Sequence, residues 1–432
     1  MKFFHLADLH LGKRVNGFSM IEDQKYILDR IIELVQTQEP DAVLIAGDIY
    51  DKAIPPVEAV NLFDDFLYEL VRRGLQVFVI SGNHDSAERI SYGGRIMDRS
   101  GIHISPRISG GAADVGEEDG KPEGIDAEKP AEEESAEAEP AAERSAVEKS
   151  AEEESAEEVS VIQPFVLQDA YGPVNIYLFP YIHPSVVRAA YPDEKVNDWT
   201  QAMDVLIRKA CIDPEARNIA VAHQYVTASG VKPDECDSEL KHIGGLDNVE
   251  VSVFEDFDYV ALGHLHGPQR VGRDTVRYAG SPLKYSFSEE NHKKGVTVVE
   301  IREKGCVEIS RLALTPLRDL RTVRGTFEEL MSAGTTASLV QEDYYRVILT
   351  DENDVDQALS RLRARFYHNL MELRYDNTRT RSRNVIETEE EALEKEPVEV
   401  LQELYLLQNG LAMNEFQTEL AAKLIEEIWN TI

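Results

Sequence analysis

Five runs of apolar residues end in side chains able to hold a metal ion. The first is followed by Asp8-Leu9-His10, and the second, Ala42 to Ala46, by Gly47-Asp48-Ile49-Tyr50-Asp51. Val77 to Ile80 lead into Ser81-Gly82-Asn83-His84-Asp85, Ile219 to Ala222 into His223, and Asp258 to Leu262 into Gly263-His264-Leu265-His266. Asp8, His10, Asp48, Asn83, His223, His264 and His266 mix carboxylate, carboxamide and imidazole donors. That mixture suits Mn²⁺, Fe or Zn²⁺, and suits Ca²⁺ poorly because Ca²⁺ takes oxygen ligands. In extended backbone, residues two apart point the same way, so Asp8 and His10 could share one ion, as could His264 and His266. Asp48 could bridge two ions through its two oxygens. Gly82 permits the sharp turn that lets Asn83, His84 and Asp85 converge.

Each piece has an ordinary explanation by itself. Asp-x-His spacings arise by chance, turns favour Gly, Asn and Asp, and a lone His223 would read as a core histidine. The joint pattern is harder to explain away, since turn chemistry does not place metal-type residues after strand upon strand.

The elements that must position these residues are legible as well. Lys2 to Ala7, Ala42 to Ala46 and Val77 to Ile80 read as buried strands. Between them, Met20 to Gln36 and the stretch carrying Val60, Phe63, Leu67 and Leu70 have helical spacing. Strands that are apolar throughout, alternating with helices, predict an α/β fold of mixed sheets flanked by helices. In such sheets ligands bind beyond the carboxyl ends of strands, where Asp8, Asp48 and Asn83 fall. Val174 to Pro180 resumes strand character, a helix is expected around Trp199 to Cys211, and Tyr278 to Pro282 and Gly295 to Ile301 read as closing antiparallel strands.

The 432 residues exceed one ordinary domain. The expected division is 1–315 for the metal-bearing domain, 316–384 for a small α+β unit, and 385–432 for a linker and helical hairpin. The first domain is interrupted at about 110–160 by a segment rich in Glu, Ala, Ser and Pro, which cannot bury enough apolar surface to order itself. The net charge of −35 argues against nucleic acid if read naively, but part of it lies in that insertion. Arg361, Arg363 and Arg365, followed by Arg379, Arg381 and Arg383, are the basic clusters of the small unit. Cys211, Cys236 and Cys306 have neither disulfide nor zinc-site spacing. No signal peptide or membrane span is read, so a reducing cytoplasm is the default.

The ordered set of D-x-H, G-D-x-x-D, G-N-H-D, H and G-H-L-H resembles the calcineurin-like metallophosphoesterases. His5 to Gly12, Asp258 to His266 and Tyr278 to Phe287 resemble their DNA-repair nuclease branch, over Met1 to about Ile301 apart from the insertion. The resemblance implies two Mn²⁺ ions, one held by Asp8, His10, Asp48 and His266, the other by Asp48, Asn83, His223 and His264. It implies that His84 contacts the phosphate and assists the leaving oxygen, with Asp85 beside it to orient it. Some relatives carry a histidine where this chain has Asp51. The same resemblance implies a DNA exonuclease and hairpin endonuclease, with a homodimer of nuclease subunits bound to an SMC-like ATPase. The unit at 316–384 would then cap DNA, and the terminal hairpin would dock the ATPase. The chain has no G-x-x-x-x-G-K-[ST] loop, so any ATP dependence must come from that partner. Two rivals remain at this point: a phosphoesterase for small molecules or phosphoproteins, and a metal-free scaffold, which predicts missing ligands.

Overall fold

A computed structural model describes residues 1–108, 161–239, 247–332, 342–353, 355–366, 369–378 and scattered positions between 401 and 421. The acidic insertion, Arg379, Arg381 and Arg383, and most of the terminal hairpin lie outside the described residues.

The chain forms β1 (Lys2–Leu6), α1 (Ile21–Gln38), β2 (Ala42–Ala46), α2 (Val57–Val71), β3 (Gln76–Ile80) and β4 (Ile102–Ile104). After the insertion come β5 (Phe165–Asp169), β6 (Gly172–Phe179), α3 (Trp199–Lys209), β7 (Arg217–His223) and β8 (Tyr259–Gly263). Next are β9 (Gln269–Val271), β10 (Arg273–Tyr278), β11 (Gly295–Ile301) and β12 (Val307–Ala313). These strands make up two six-stranded mixed sheets, in the orders β12-β11-β1-β2-β3-β4 and β9-β10-β8-β7-β6-β5. The inner pairs β1–β2, β2–β3, β6–β7 and β7–β8 are parallel.

Strand residues alternate between faces, and the alternation assigns each residue to a layer. Phe3, Leu44 and Phe78 of the first sheet pack with Ile176, Leu178, Val221 and Tyr259 of the second, forming the core between the sheets. Tyr177, Phe179, Ala220 and Val260 point the other way, onto Trp199, Met203 and Leu206 of α3. Asp198 caps that helix by accepting from the Gln201 N–H. Every residue of β2 is buried, as a strand covered on both faces requires.

One expectation needs correction. Tyr278 to Pro282 is not a strand beyond its first residue: β10 ends at Tyr278, where it pairs antiparallel with β9 and parallel with β8. Gly280 instead turns the chain at φ +76°, close against the His266 carbonyl. The strand over Gly295–Ile301 is antiparallel to both its neighbours.

The chain divides into two compact units, Met1–Leu320 and Arg321–Ile432. The second contains β13 (Leu320–Gly325), α4 (Phe327–Met331), β14 (Tyr344–Leu349), α5 (Ala358–Arg365) and β15 (Leu370–Tyr375). Its three strands form one sheet over a core of Phe327, Tyr345, Val347, Leu362 and Phe366. A Thr326–Glu329 capping box starts α4.

Candidate metal centre

The metal-type residues all leave the carboxyl ends of parallel strands from both sheets. Asp8 follows β1, Asp48 follows β2, Asn83 follows β3, His223 ends β7, and His264 follows β8. Backbone bonds zip the first two loops together, from Asp8 N–H to the Gly47 carbonyl at 3.1 Å and from His10 N–H to the Asp48 carbonyl at 2.9 Å. The His264 N–H donates to Asp8 Oδ1 at 2.9 Å, tying the sheets to each other at the site.

The backbone is strained where it carries ligand-type side chains. Asp8, His10, Asp48 and His264 have φ of +54°, +44°, +49° and +109°. Each such residue costs about 1–3 kcal/mol, and strain of this kind gathers at functional sites. Asp8-x-His10 is therefore not extended, and its side chains converge through left-handed turns. His264 and His266 do not join one group either: His266 gathers with Asp8 and His10, whereas His264 Nδ1 stands 3.0 Å from Asn83 Oδ1.

Two groups of donor atoms result. His10 Nε2 lies 3.0 Å from His266 Nε2 and 3.6 Å from Asp48 Oδ2. Asp8, His10 and His266 are buried and can present one ligand atom each to a common point. On the other side, Asn83 Oδ1 stands 3.0 Å from both His223 Nε2 and His264 Nδ1, and Asp48 Oδ2 is 3.4 Å from His223 Nε2. Asp48 faces both groups. Its Oδ1 accepts from the His84 N–H at 2.9 Å.

These atoms fit cations. His223 donates from Nδ1 to the Ala46 carbonyl at 2.8 Å, so in the neutral ring its Nε2 and Asn83 Oδ1 are two lone-pair atoms facing each other. Asp8 Oδ2 is buried without a partner. An octahedral ion with bonds of about 2.1 Å sets neighbouring ligand atoms about 3 Å apart, close to the separations found. The charge balance agrees. Burial, reinforced by Asp48, pushes Asp8 well above the usual carboxylate range. Burial also works against the Asp48 carboxylate, but His223, His10 and His84 outweigh it and hold its pKa low. Against its own burial, His223 is pushed up to about 9 by Asp48 and Asp8. The pit draws in positive charge.

The structure places His84 beside this pit. Its ring meets that of His10 edge-on at 4.8 Å, and its Nδ1 donates to the Asp51 carbonyl at 3.0 Å. Asp85 does not orient that ring. Its carboxylate accepts from the N–H groups of Ile49, Tyr50 and Gly82 at 3.1, 2.9 and 2.9 Å, fastening the Asp48 loop to the Asn83 loop. Asp51, given no role on sequence grounds, supplies the carbonyl for His84 and pairs its side chain with Lys13 at 2.7 Å. Sequence reasoning also misses Ser238, Glu239, Glu289 and Lys294, which surround His266. They belong to no metal-type spacing.

The calcineurin-like phosphoesterase family pattern matches residues 1–268. The chain belongs to the calcineurin-like phosphoesterases. Residues 316–409 match the SbcD C-terminal pattern, described as the type 5 capsule protein repressor C-terminal domain. The chain is similar to the D subunit of nuclease SbcCD from Staphylococcus epidermidis, 28% identical over 86% of this chain and 85% of that protein. It is 30% identical to the corresponding nuclease SbcCD protein of Staphylococcus saprophyticus, over 76% of this chain and 73% of that one. A solved dimetal phosphatase from Danio rerio overlaps 73% of this chain and 99% of its own at 12% identity, with a TM-score of 0.36. That overlap is too loose to carry an argument. Among the described residues no helix is long and apolar enough to cross a membrane.

Proposed function

We propose that this calcineurin-like phosphoesterase is the nuclease subunit of an SbcCD-type complex. It hydrolyses DNA phosphodiester bonds, as an exonuclease on duplex ends and an endonuclease on hairpins, in DNA repair and recombination in the cytoplasm. One observation carries the reading: donors from both sheets converge on a buried pit centred on Asp48, in a chain similar to SbcCD nuclease subunits over most of its length.

In this reading Asp8, His10, Asp48 and His266 hold one Mn²⁺, and Asp48, Asn83, His223 and His264 hold the other. Such a pair supplies Lewis-acid stabilisation of the phosphoryl oxygens and a more acidic water. The chain's own residues do the rest. Asp48, pinned by the His84 N–H, keeps the two ligand groups in register. With Nδ1–H taken up by the Asp51 carbonyl, His84 in its protonated form would present Nε2–H to a phosphate oxygen and give that proton to the departing one, leaving the neutral ring. Asp85 holds the two loops that carry Asp48 and His84.

The unit at 316–384 caps the DNA in this reading. Within it, Arg361 stacks on Phe327 at 4.2 Å and Arg365 donates to the Ser332 carbonyl, which leaves Arg363 as an exposed phosphate contact. Residues 385–432 dock an SbcC-type, SMC-like ATPase. Val57, Val60 and Tyr68 of α2 are exposed apolar residues 41–73% accessible, a face suited to the homodimer of nuclease subunits. Tyr68→Glu should then shift the sedimenting species to the monomer; an unchanged dimer would remove this face from the proposal.

The test is cleavage of a labelled DNA hairpin and a blunt duplex with Mn²⁺ or EDTA, with Asp48→Ala alongside. Mn²⁺-dependent cleavage that the variant lacks is expected. Hydrolysis of bis-p-nitrophenyl phosphate without cleavage of either DNA, even with the ATPase added, would overturn the DNA reading.

A further inference from the structure

Behind His266, on the side away from His10, lies a buried ion pair that none of the ligand assignments uses. Glu289 is wholly inaccessible and Lys294 is 6% accessible. Lys294 Nζ donates to Glu289 Oε2 at 2.6 Å, to Ser281 Oγ at 2.8 Å and to the His266 carbonyl at 2.9 Å. Glu289 Oε1 accepts from Ser238 Oγ at 2.6 Å and from the Tyr285 N–H at 3.1 Å. Ser238 Oγ is in turn 2.8 Å from His266 Nδ1. The Glu239 carboxylate takes the His266 N–H.

A buried ion pair is a poor source of stability, because desolvation offsets most of the attraction. Its geometry gives a different reason for its presence. Glu289 takes Lys294 Nζ on Oε2 and the Tyr285 N–H on Oε1, both fixed donors, so it stands as an acceptor here and the Ser238 hydroxyl gives it its one hydrogen. Ser238 Oγ can then only accept from His266, which places the His266 proton on Nδ1. That leaves a lone pair on Nε2, the atom that faces His10 Nε2 across the first ligand group. Lys294 and Glu239 fix the same residue through its carbonyl and its N–H.

We propose that Ser238, Glu289 and Lys294 are positioning residues that fix the His266 tautomer and ring, and so set the affinity of one of the two ion sites without touching the other. The inference rests on the two-ion reading of the pit. Partners that orient a metal-binding imidazole typically matter by 10–100-fold in metal affinity.

The test is calorimetric titration of the metal-stripped protein with Mn²⁺, together with Mn²⁺ electron paramagnetic resonance, on wild type, Ser238→Ala, Ser238→Thr and the double variant Glu289→Gln/Lys294→Met. Ser238 lies in a turn, so its alanine variant is the one that decides if the double variant does not fold. Wild type should bind two ions. Ser238→Ala should lose about 10–100-fold for one ion only, with the resonance of a coupled pair giving way to that of a single ion, and Ser238→Thr should restore the pair. A loss of packing alone would lower the melting temperature without separating the two affinities. Two unchanged affinities in folded Ser238→Ala would overturn the positioning role, whereas a wild-type chain that binds no Mn²⁺ would overturn the two-ion reading beneath it.

Discussion

His10 and His266 are 256 positions apart in sequence, yet their Nε2 atoms stand 3.0 Å apart and both side chains are buried. Without a cation that contact needs a proton on one of the two nitrogens, with His10 Nδ1 left unpartnered; a bound cation would take both lone pairs. Removing metal should therefore weaken the fold. Thermal unfolding with EDTA should fall several degrees below that with Mn²⁺, since an ion at 100 times its Kd stabilises by about 2.7 kcal/mol per site. Asp48→Ala should abolish the difference. Equal midpoints with EDTA and Mn²⁺ in the wild type would contradict this.

His84 sits beside the donors and keeps its ring on a backbone carbonyl. Replacing it by Gln should reduce phosphodiester hydrolysis by about 10²–10⁴-fold, the range for a general acid or base, and leave the Mn²⁺ content unchanged. Loss of an ion in the purified variant would make His84 a ligand instead.

Gly82 is pressed against the Asp48 loop. A Cβ there would come within 2.1 Å of Asp48 Oδ1 and 2.3 Å of its backbone nitrogen. Gly82→Ala should cost about 1–3 kcal/mol of stability and displace Asp48, lowering affinity for both ions. Wild-type Mn²⁺ binding in this variant, measured by calorimetry, would show that the two loops can part without consequence.

Asp169 and Arg217 join β5 to β7 through two N–H···O bonds at 2.6 and 3.2 Å. The Arg217 guanidinium holds the Asp169 carboxyl well below its ordinary value of 3.8. A lowered carboxyl stabilises the fold fully above that ordinary value and loses its contribution as pH falls through the folded one. Asp169→Asn should therefore be less stable than wild type at neutral pH, and the gap should close below about pH 4. A gap that stays constant down to pH 2 in urea melts would rule out the ion pair as its cause.

Much of the site is legible in the sequence because the types of its residues and their positions after apolar strands are both sequence properties. Asp48 and Asn83 fall beyond strand ends on the evidence of the apolar runs alone. The means of convergence is not legible. An Asp-x-His pair reads as extended backbone, while Asp8 and His10 occupy left-handed turns held by the loop after β2. Asp85 stands next to His84 in sequence, which suggests that the two work together, although its oxygens serve three N–H groups, two of them from a loop more than thirty residues away. Glu289 and Lys294 carry no signal, because an acid and a base five residues apart look like solvated surface until the fold buries them.

The most direct measurement is anomalous diffraction at the manganese edge from crystals soaked in Mn²⁺. The account predicts two peaks that share Asp48, one among Asp8, His10 and His266, the other among Asn83, His223 and His264. A single peak, or a pair that leaves Asp48 outside both, would contradict it.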